Sequence, residues 1–268
     1  MTRHKLTYNI SDVSPYINWA YFYHAWQVRD RAEQHRLRSE GETVLALFEG
    51  RYKVYAVFAI GDANSDGDDI LFDTVRLPML RQQTAAGDGP CLSLADFVRP
   101  LSSGRKDCIG VFASTVDIGM ETDFAADQYE KMMVQLLADR LAEAAAERMH
   151  EEVRTGYWGY APQERLSVEE MHAEKFQGIR PAVGYPSLPD TSFNFVLSDI
   201  LGFGDIGIRL TENGAMRPHA SVSGLMIAHP QARYFALGRI GEDQLRDYAR
   251  RRGVPVELMR RFLGSNLK

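Results

Sequence analysis

A chain of 268 residues, 45% hydrophobic and 25% charged, can bury a sizeable core without disulfides or metals, and its composition is that of a globular protein. Its net charge of −5 argues against nucleic acid as the main partner, because phosphate contacts need a concentrated basic face. No apolar run reaches the ~20 residues of a membrane-spanning helix, so no membrane association is expected.

The opening residues Met1 to Tyr8 carry positive charge without an apolar stretch behind them, so no secretory leader is expected and the compartment reads as cytoplasmic. Cys91 and Cys108 lie far from any Cys-x-x-Cys spacing and read as buried, reduced thiols. Six aromatics fall between Tyr16 and Trp26, which predicts a segment lining the core or a groove. From Arg29 to Phe48 apolar and charged residues mix at helical spacing, with Gly41 as a weak point.

The character changes at Tyr52, where β-branched and aromatic residues run to Ile60; turn chemistry at Asn64 to Asp68 then leads to Ile70-Leu71-Phe72, predicting a hairpin. Leu92 to Val98 reads as a short helix or turn stopped by Pro100, and Asp107 to Ala113 as a core strand. Apolar residues recur at helical spacing from Phe124 to Val153, the longest helix signal in the chain, which should pack on the sheet. A capping box at Ser167-Val168-Glu169-Glu170 opens a second helix, expected to run to Gln177.

Gly202-Phe203-Gly204-Asp205-Ile206-Gly207 spells Gly-x-Gly-x-x-Gly, but no helical periodicity follows, so it reads as a turn and not as a dinucleotide fingerprint. Ala220 to Ile227 and Arg233 to Gly238 read as two strands joined through His229-Pro230. Two helices finish the chain, parted by Gly253 and Pro255; their arginines suit either a solvated helix pair or a docking face for an acidic protein. The mixture of hairpins and helices predicts one α+β unit over residues 1–268, an antiparallel sheet flanked by helices.

The stretch from Gly178 to Asp190 holds two glycines and three prolines around Arg180 and Tyr185. Pro181 and Pro186 keep the residues before them out of helical dihedrals, and Gly184 lets a ligand or a second backbone approach. A stiff loop carrying an arginine makes a good carboxylate receptor, while a plain proline-stiffened connector satisfies the same composition. Glu143 on the long helix and Glu174 just before the loop are candidate partners for a cation, or simply solvated helix charges. The common catalytic spacings are absent: no His-Glu-x-x-His, no Gly-x-Ser-x-Gly, no phosphate-binding loop, and seven scattered histidines.

Tyr157-Trp158-Gly159-Tyr160-Ala161-Pro162, Gln177 to Pro186 and Ala220-Ser221-Val222-Ser223-Gly224, with Leu80-Arg81-Gln82-Gln83 and Leu94-Ala95-Asp96-Phe97 upstream, resemble the activation (reactivation) domain of cobalamin-dependent methionine synthase. The resemblance covers most of the chain in order and is weakest between about Arg29 and Asp69. It implies a curved, helix-flanked, twisted antiparallel sheet that binds S-adenosylmethionine. It implies a role in reductive remethylation of inactive cob(II)alamin to methylcobalamin, the cobalamin being held by a partner domain or subunit and the electron coming from flavodoxin or an equivalent donor. On this likeness Arg180 takes the ligand carboxylate, Glu143 and Glu174 face its ammonium, and Tyr185 and Tyr234 face its sulfonium; Ala182, Gly184, Asn18 and Phe235 complete the implied site.

Three positions depart from the family pattern: Asn18 stands where an aspartate is usual, Phe235 where a second tyrosine is frequent, and His219 where a small residue precedes Ala220. The chain has neither the Asp-x-His-x-x-Gly cobalt-ligating motif nor a cysteine cluster for zinc, so transfer to homocysteine by this chain alone is not expected. It reads as a module of a larger enzyme or a separate subunit. The rival readings are an autonomous S-adenosylmethionine-dependent methyltransferase and a non-catalytic protein that senses S-adenosylmethionine.

Overall fold

In a computed structural model, which describes every residue except 85, 86, 88, 125 and 126, the chain is built around a long central strand. The elements run β1 (Thr2–Tyr8), α1 (Ile10–Val13), α2 (Trp19–Ala25), α3 (Arg31–Phe48), β2 (Val54–Asp66), β3 (Asp69–Phe72), β4 (Val75–Pro78) and β5 (Asp107–Val116). Then follow α4 (Gly119–Thr122), α5 (Gln128–Glu152), α6 (Val168–His172), α7 (Phe193–Leu201), β6 (Arg209–Leu210), β7 (Met216–Arg217), β8 (Ser221–Met226), α8 (Glu242–Arg252) and α9 (Val256–Phe262).

The main sheet is antiparallel, in the order β4-β3-β2-β5-β8. One edge of β2 serves two partners in turn, β1 along Val54 to Ile60 and β3 along Ala63 to Asp66, and the other edge pairs with β5. The near-continuous apolar run of β2 has a physical cause, because both of its faces are buried. Ala56 and Phe58 point into a core made with α5 and the N-terminal helices, while Val57 and Ala59 point into a second core made with α7.

The long helix lies on the first face, and Leu137, Leu141, Ala144, Ala145 and Met149 are buried along it. Its described start is Gln128, capped by the Asp127 carboxylate accepting from Glu130 N; residues 125 and 126 of the expected span lie outside the described residues. It runs on into a single π-helical turn, Val153–Tyr157. Gly41 is a contact point and not a weakness, since a Cβ there would meet the Trp19 ring at 3.3 Å.

Three sequence expectations fail locally. The capped helix α6 stops at His172, with Glu174 in the left-handed region at φ 56, so the chain turns well before Gln177. Arg233 to Gly238 belongs to no strand; its carbonyl at Ala236 accepts from the Gln82 side chain and its amide at Leu237 donates to Pro186 O. Cys91 and Cys108 are only half-buried, though both are free. The tail arginines are largely paired within the chain, Arg251 with Asp69 and Arg252 with Asp190 among them, which fits a helix pair docked on its own domain rather than a free basic face. Among the described residues no helix is long and apolar enough to cross a membrane.

Candidate functional site

The stretch Gly178 to Tyr185 lies along the open edge of β8 and covers it. Ile179 and Ile227 exchange both backbone hydrogen bonds at 2.9 and 3.0 Å, Leu225 N donates to Pro181 O at 3.0 Å, and Val183 N donates to Ser223 O at 2.9 Å. Proline cannot donate to a ladder, yet Pro181 serves here through its carbonyl alone, as an edge position permits. Such close approach requires glycine at 224, where a Cβ would stand 2.1 Å from Pro181 O.

This seating sends the Arg180 side chain onto α5. Its Nη1 donates to Ala146 O at 2.6 Å, its Nη2 bonds Glu147 Oε1, and its guanidinium lies 5.8 Å from the centre of the Phe112 ring. The side chain is 9% exposed. Burial works against its charge, but Glu147 and Tyr234 outweigh that and hold the guanidinium above its ordinary pKa. The Arg180 amide also donates to the Tyr234 hydroxyl at 2.9 Å, which ties the segment after His229-Pro230 to the loop.

Arg180 opens into a cleft of about 640 Å³. The loop also contributes Ala182 and Tyr185, the long helix contributes Glu143, and the turn after α6 contributes Glu174. Tyr234, Phe235 and Asn18 also line it. Gly184 does not line the cleft; at φ 87 it makes the turn that lets its amide donate to Leu188 O, and so sets the direction of Tyr185. Eight of the residues named from the sequence thus line one cleft, brought together by the fold from five separate segments.

The cleft is electrostatically graded. The Tyr185 hydroxyl donates to Glu143 Oε1 at 3.0 Å, and the neighbouring carboxylate together with burial pushes the phenol up to about 12. Burial, then the charge of Glu147, raise the Glu174 carboxyl above its usual range, opposed by Arg180. Burial likewise raises the Tyr234 phenol. Asn18 does two jobs, facing the cleft and capping α2, where its Oδ1 accepts from Ala20 N at 3.2 Å.

Glu147 and Arg140 also line the cleft and went unread in the sequence. Glu147 stands four residues after Glu143 on one helix, so the two share a face, a spacing that could have flagged it. Beneath them, His150 is fully buried against Phe176, ring centres 4.9 Å apart, and burial with the charges of Arg180 and Arg154 drives its pKa well below 6.5. The motif around Tyr157 to Pro162 supplies this floor. Arg154 in the π-helical turn pairs with Glu164 at 2.6 Å, and Tyr160 reaches both His150 and the carbonyl of Gln177. The upstream motifs are structural too: Arg81 pairs with Asp68 and Asp96, while Gln82 and Gln244 bind the C-terminal segment to the β4 end.

The model of a family described as vitamin B12 dependent methionine synthase, activation domain, matches residues 9–253. A crystal structure of the MetH reactivation domain bound to AdoHcy is similar to this chain at 37% sequence identity and a TM-score of 0.95, over 100% of this chain and 90% of that one. The likeness bears out the curved antiparallel sheet with flanking helices. The chain therefore belongs to the activation-domain family of vitamin B12-dependent methionine synthases.

Proposed function

We propose that residues 1–268 act as one domain that binds S-adenosylmethionine in the Arg180 cleft and presents it for reductive remethylation of a cobalamin held by a partner domain or subunit. The observation that carries this reading is the Arg180 guanidinium, fixed inside a cleft of about 640 Å³, a volume in the range of small-molecule sites. The AdoHcy held by the similar MetH reactivation domain supports the same ligand class here.

The residues present fit such a ligand. Arg180 offers donors to a carboxylate, and the faces of Tyr185 and Tyr234 suit a sulfonium. Glu143, Glu147 and Glu174 against Arg140 and Arg180 leave the cleft one formal charge negative, the complement of a ligand with one net positive charge. S-adenosylmethionine supplies an electrophilic methyl group; the chain's part is to bind the head group, orient the sulfonium toward the open mouth beside exposed Tyr185, and exclude water from the charged floor. Asn18 and Phe235 in place of the family's usual Asp and Tyr retain the shape of the site with one fewer charge and one fewer hydroxyl.

Flavodoxin or an equivalent donor would supply the electron, and the cytoplasm is the compartment that suits such a donor. The test mixes this chain with a cognate cobalamin protein, S-adenosylmethionine and a reductant. Loss of the cob(II)alamin absorption band should speed up only when all are present. A chain that methylates homocysteine unaided, or that leaves the band unaffected, removes this reading.

A further inference from the structure

The Tyr160 hydroxyl lies between two groups, Nε2 of His150 at 3.4 Å and the carbonyl oxygen of Gln177 at 3.3 Å. A phenol has one proton to give, and a carbonyl can only accept. Both contacts are hydrogen bonds at once in a single arrangement of the neutral ring: His150 Nε2–H donates to the hydroxyl oxygen, and the hydroxyl donates to Gln177 O. The opposite arrangement, with the phenol proton aimed at Nε2, gives up the bond to Gln177 and moves the imidazole proton to Nδ1, which is buried and has no partner. A buried N–H without an acceptor is costly and uncommon in folded proteins, whereas a bare ring nitrogen asks less. A ring protonated on both nitrogens is disfavoured by burial and by the charges of Arg180 and Arg154.

Resting on the S-adenosylmethionine reading above, we propose that Tyr160 is a positioning residue of the site, which His150 in its Nε2–H tautomer turns toward Gln177, so that the Arg180 loop starts in one fixed direction. The entry to the loop is where direction matters. Gln177 is held twice, at its carbonyl by Tyr160 and through its own side-chain amide, which donates to Ala228 O at 2.8 Å. The next residue, Gly178, is at φ 87, and a Cβ on it would stand 2.3 Å from Ile227 O, so the chain meets the β8 edge with no room to shift. Two residues further on, Arg180 reaches Ala146 O, about one helical turn before His150 on α5. His150 therefore stands a turn from where the guanidinium lands and, through Tyr160, also fixes the start of the loop that carries it. The segment that brings Tyr160 there is itself pinned, by the Arg154–Glu164 pair and by Ala161 N donating to Arg154 O at 2.9 Å. Neither Tyr160 nor His150 lines the cleft, so their effect on a ligand passes through the loop.

Two measurements on the full chain test this. Nitrogen-15 resonance of the histidine-labelled chain at neutral pH, without ligand, reads the tautomer: the His150 ring, identified among the seven histidines by its loss in His150→Gln, should carry its proton on Nε2 and leave Nδ1 bare. Calorimetric titration with S-adenosylmethionine reads the positioning. Tyr160→Phe should weaken binding about threefold to tenfold, the span of one lost hydrogen bond. His150→Gln, whose amide can still donate to Tyr160, should stay within about twofold of wild type, and His150→Met, of similar shape without a donor, should lose as much as Tyr160→Phe. A side chain that only filled space would let Gln and Met behave alike. A proton on Nδ1 overturns the assignment without any variant, should the variants fail to fold. Tyr160→Phe binding as wild type overturns the positioning role and leaves the ligand reading intact, whereas wild type that binds no S-adenosylmethionine overturns both.

Discussion

Replacing Gly224 by alanine strikes the point where the site is fastened to the sheet. The added Cβ would lie 2.1 Å from Pro181 O, 2.9 Å from Ala182 Cα and 3.0 Å from the Phe112 ring, and the first two contacts are backbone that cannot swing aside. The loop must lift, and two hydrogen bonds go with it, Leu225 N to Pro181 O and Val183 N to Ser223 O. Overpacking costs about 1–3 kcal/mol and each lost hydrogen bond about 0.5–1.5 kcal/mol, so destabilisation of about 2–6 kcal/mol is expected. Because Arg180 rides on the same loop, ligand affinity should drop about tenfold or more, since even a small misplacement of a charged anchor loses more than 1 kcal/mol. Urea unfolding and calorimetric titration with S-adenosylmethionine measure the two effects. Gly204→Ala is the control, because a Cβ there meets nothing within 4 Å. If Gly224→Ala kept stability within about 0.5 kcal/mol of wild type and bound ligand normally, the close approach of loop and strand would not be what positions Arg180.

Arg180→Ala should weaken S-adenosylmethionine binding by about 2–5 kcal/mol, and Arg180→Lys should recover only part, because a point charge cannot make the two-pronged bond; titration of both variants reads this directly. Asn18→Asp should retain the α2 cap and tighten binding by about 1 kcal/mol, with the gain shrinking at higher salt; unchanged affinity would place residue 18 outside the contact set. His150 is neutral in the fold and protonated when unfolded below its ordinary pKa, so the unfolded state binds the extra proton and stability is lost as pH falls through the window beneath 6.5. The slope from this residue is about 1.4 kcal/mol per pH unit, and urea melts of wild type against His150→Gln at pH 5.5 and 7.5 should differ in that slope; identical slopes refute the neutral buried imidazole.

What the sequence disclosed and what it withheld follow from the range of the forces involved. The β2–β3 hairpin, the strand at Asp107 and the long helix were legible because turn chemistry and periodicity act over a few residues. The helix after Ser167 was legible at its start, where the capping box is local, and not at its end, where Glu174 takes a left-handed conformation that only the surrounding structure imposes. Arg233 to Gly238 has strand-like residues but finds its partners in a glutamine side chain and a loop carbonyl, a tertiary outcome that propensity does not contain. The same holds for the site. Arg180 and Tyr185 announced themselves through the prolines beside them, whereas Glu147 looked like any helix acid until the fold brought Arg180 to it across 33 residues of chain. Gly224 carried a readable signal, since a glycine inside a strand marks a close backbone approach, but which backbone approaches was fixed only by the loop docking on β8.

The claim on which the rest depends is that the Arg180 cleft is an S-adenosylmethionine site. Equilibrium titration of the chain with S-adenosylmethionine tests it most directly. Saturable binding at one site per chain is expected, displaced by S-adenosylhomocysteine and lost on Arg180→Ala; no saturable binding at millimolar ligand, or binding that Arg180→Ala leaves unchanged, would contradict that assignment.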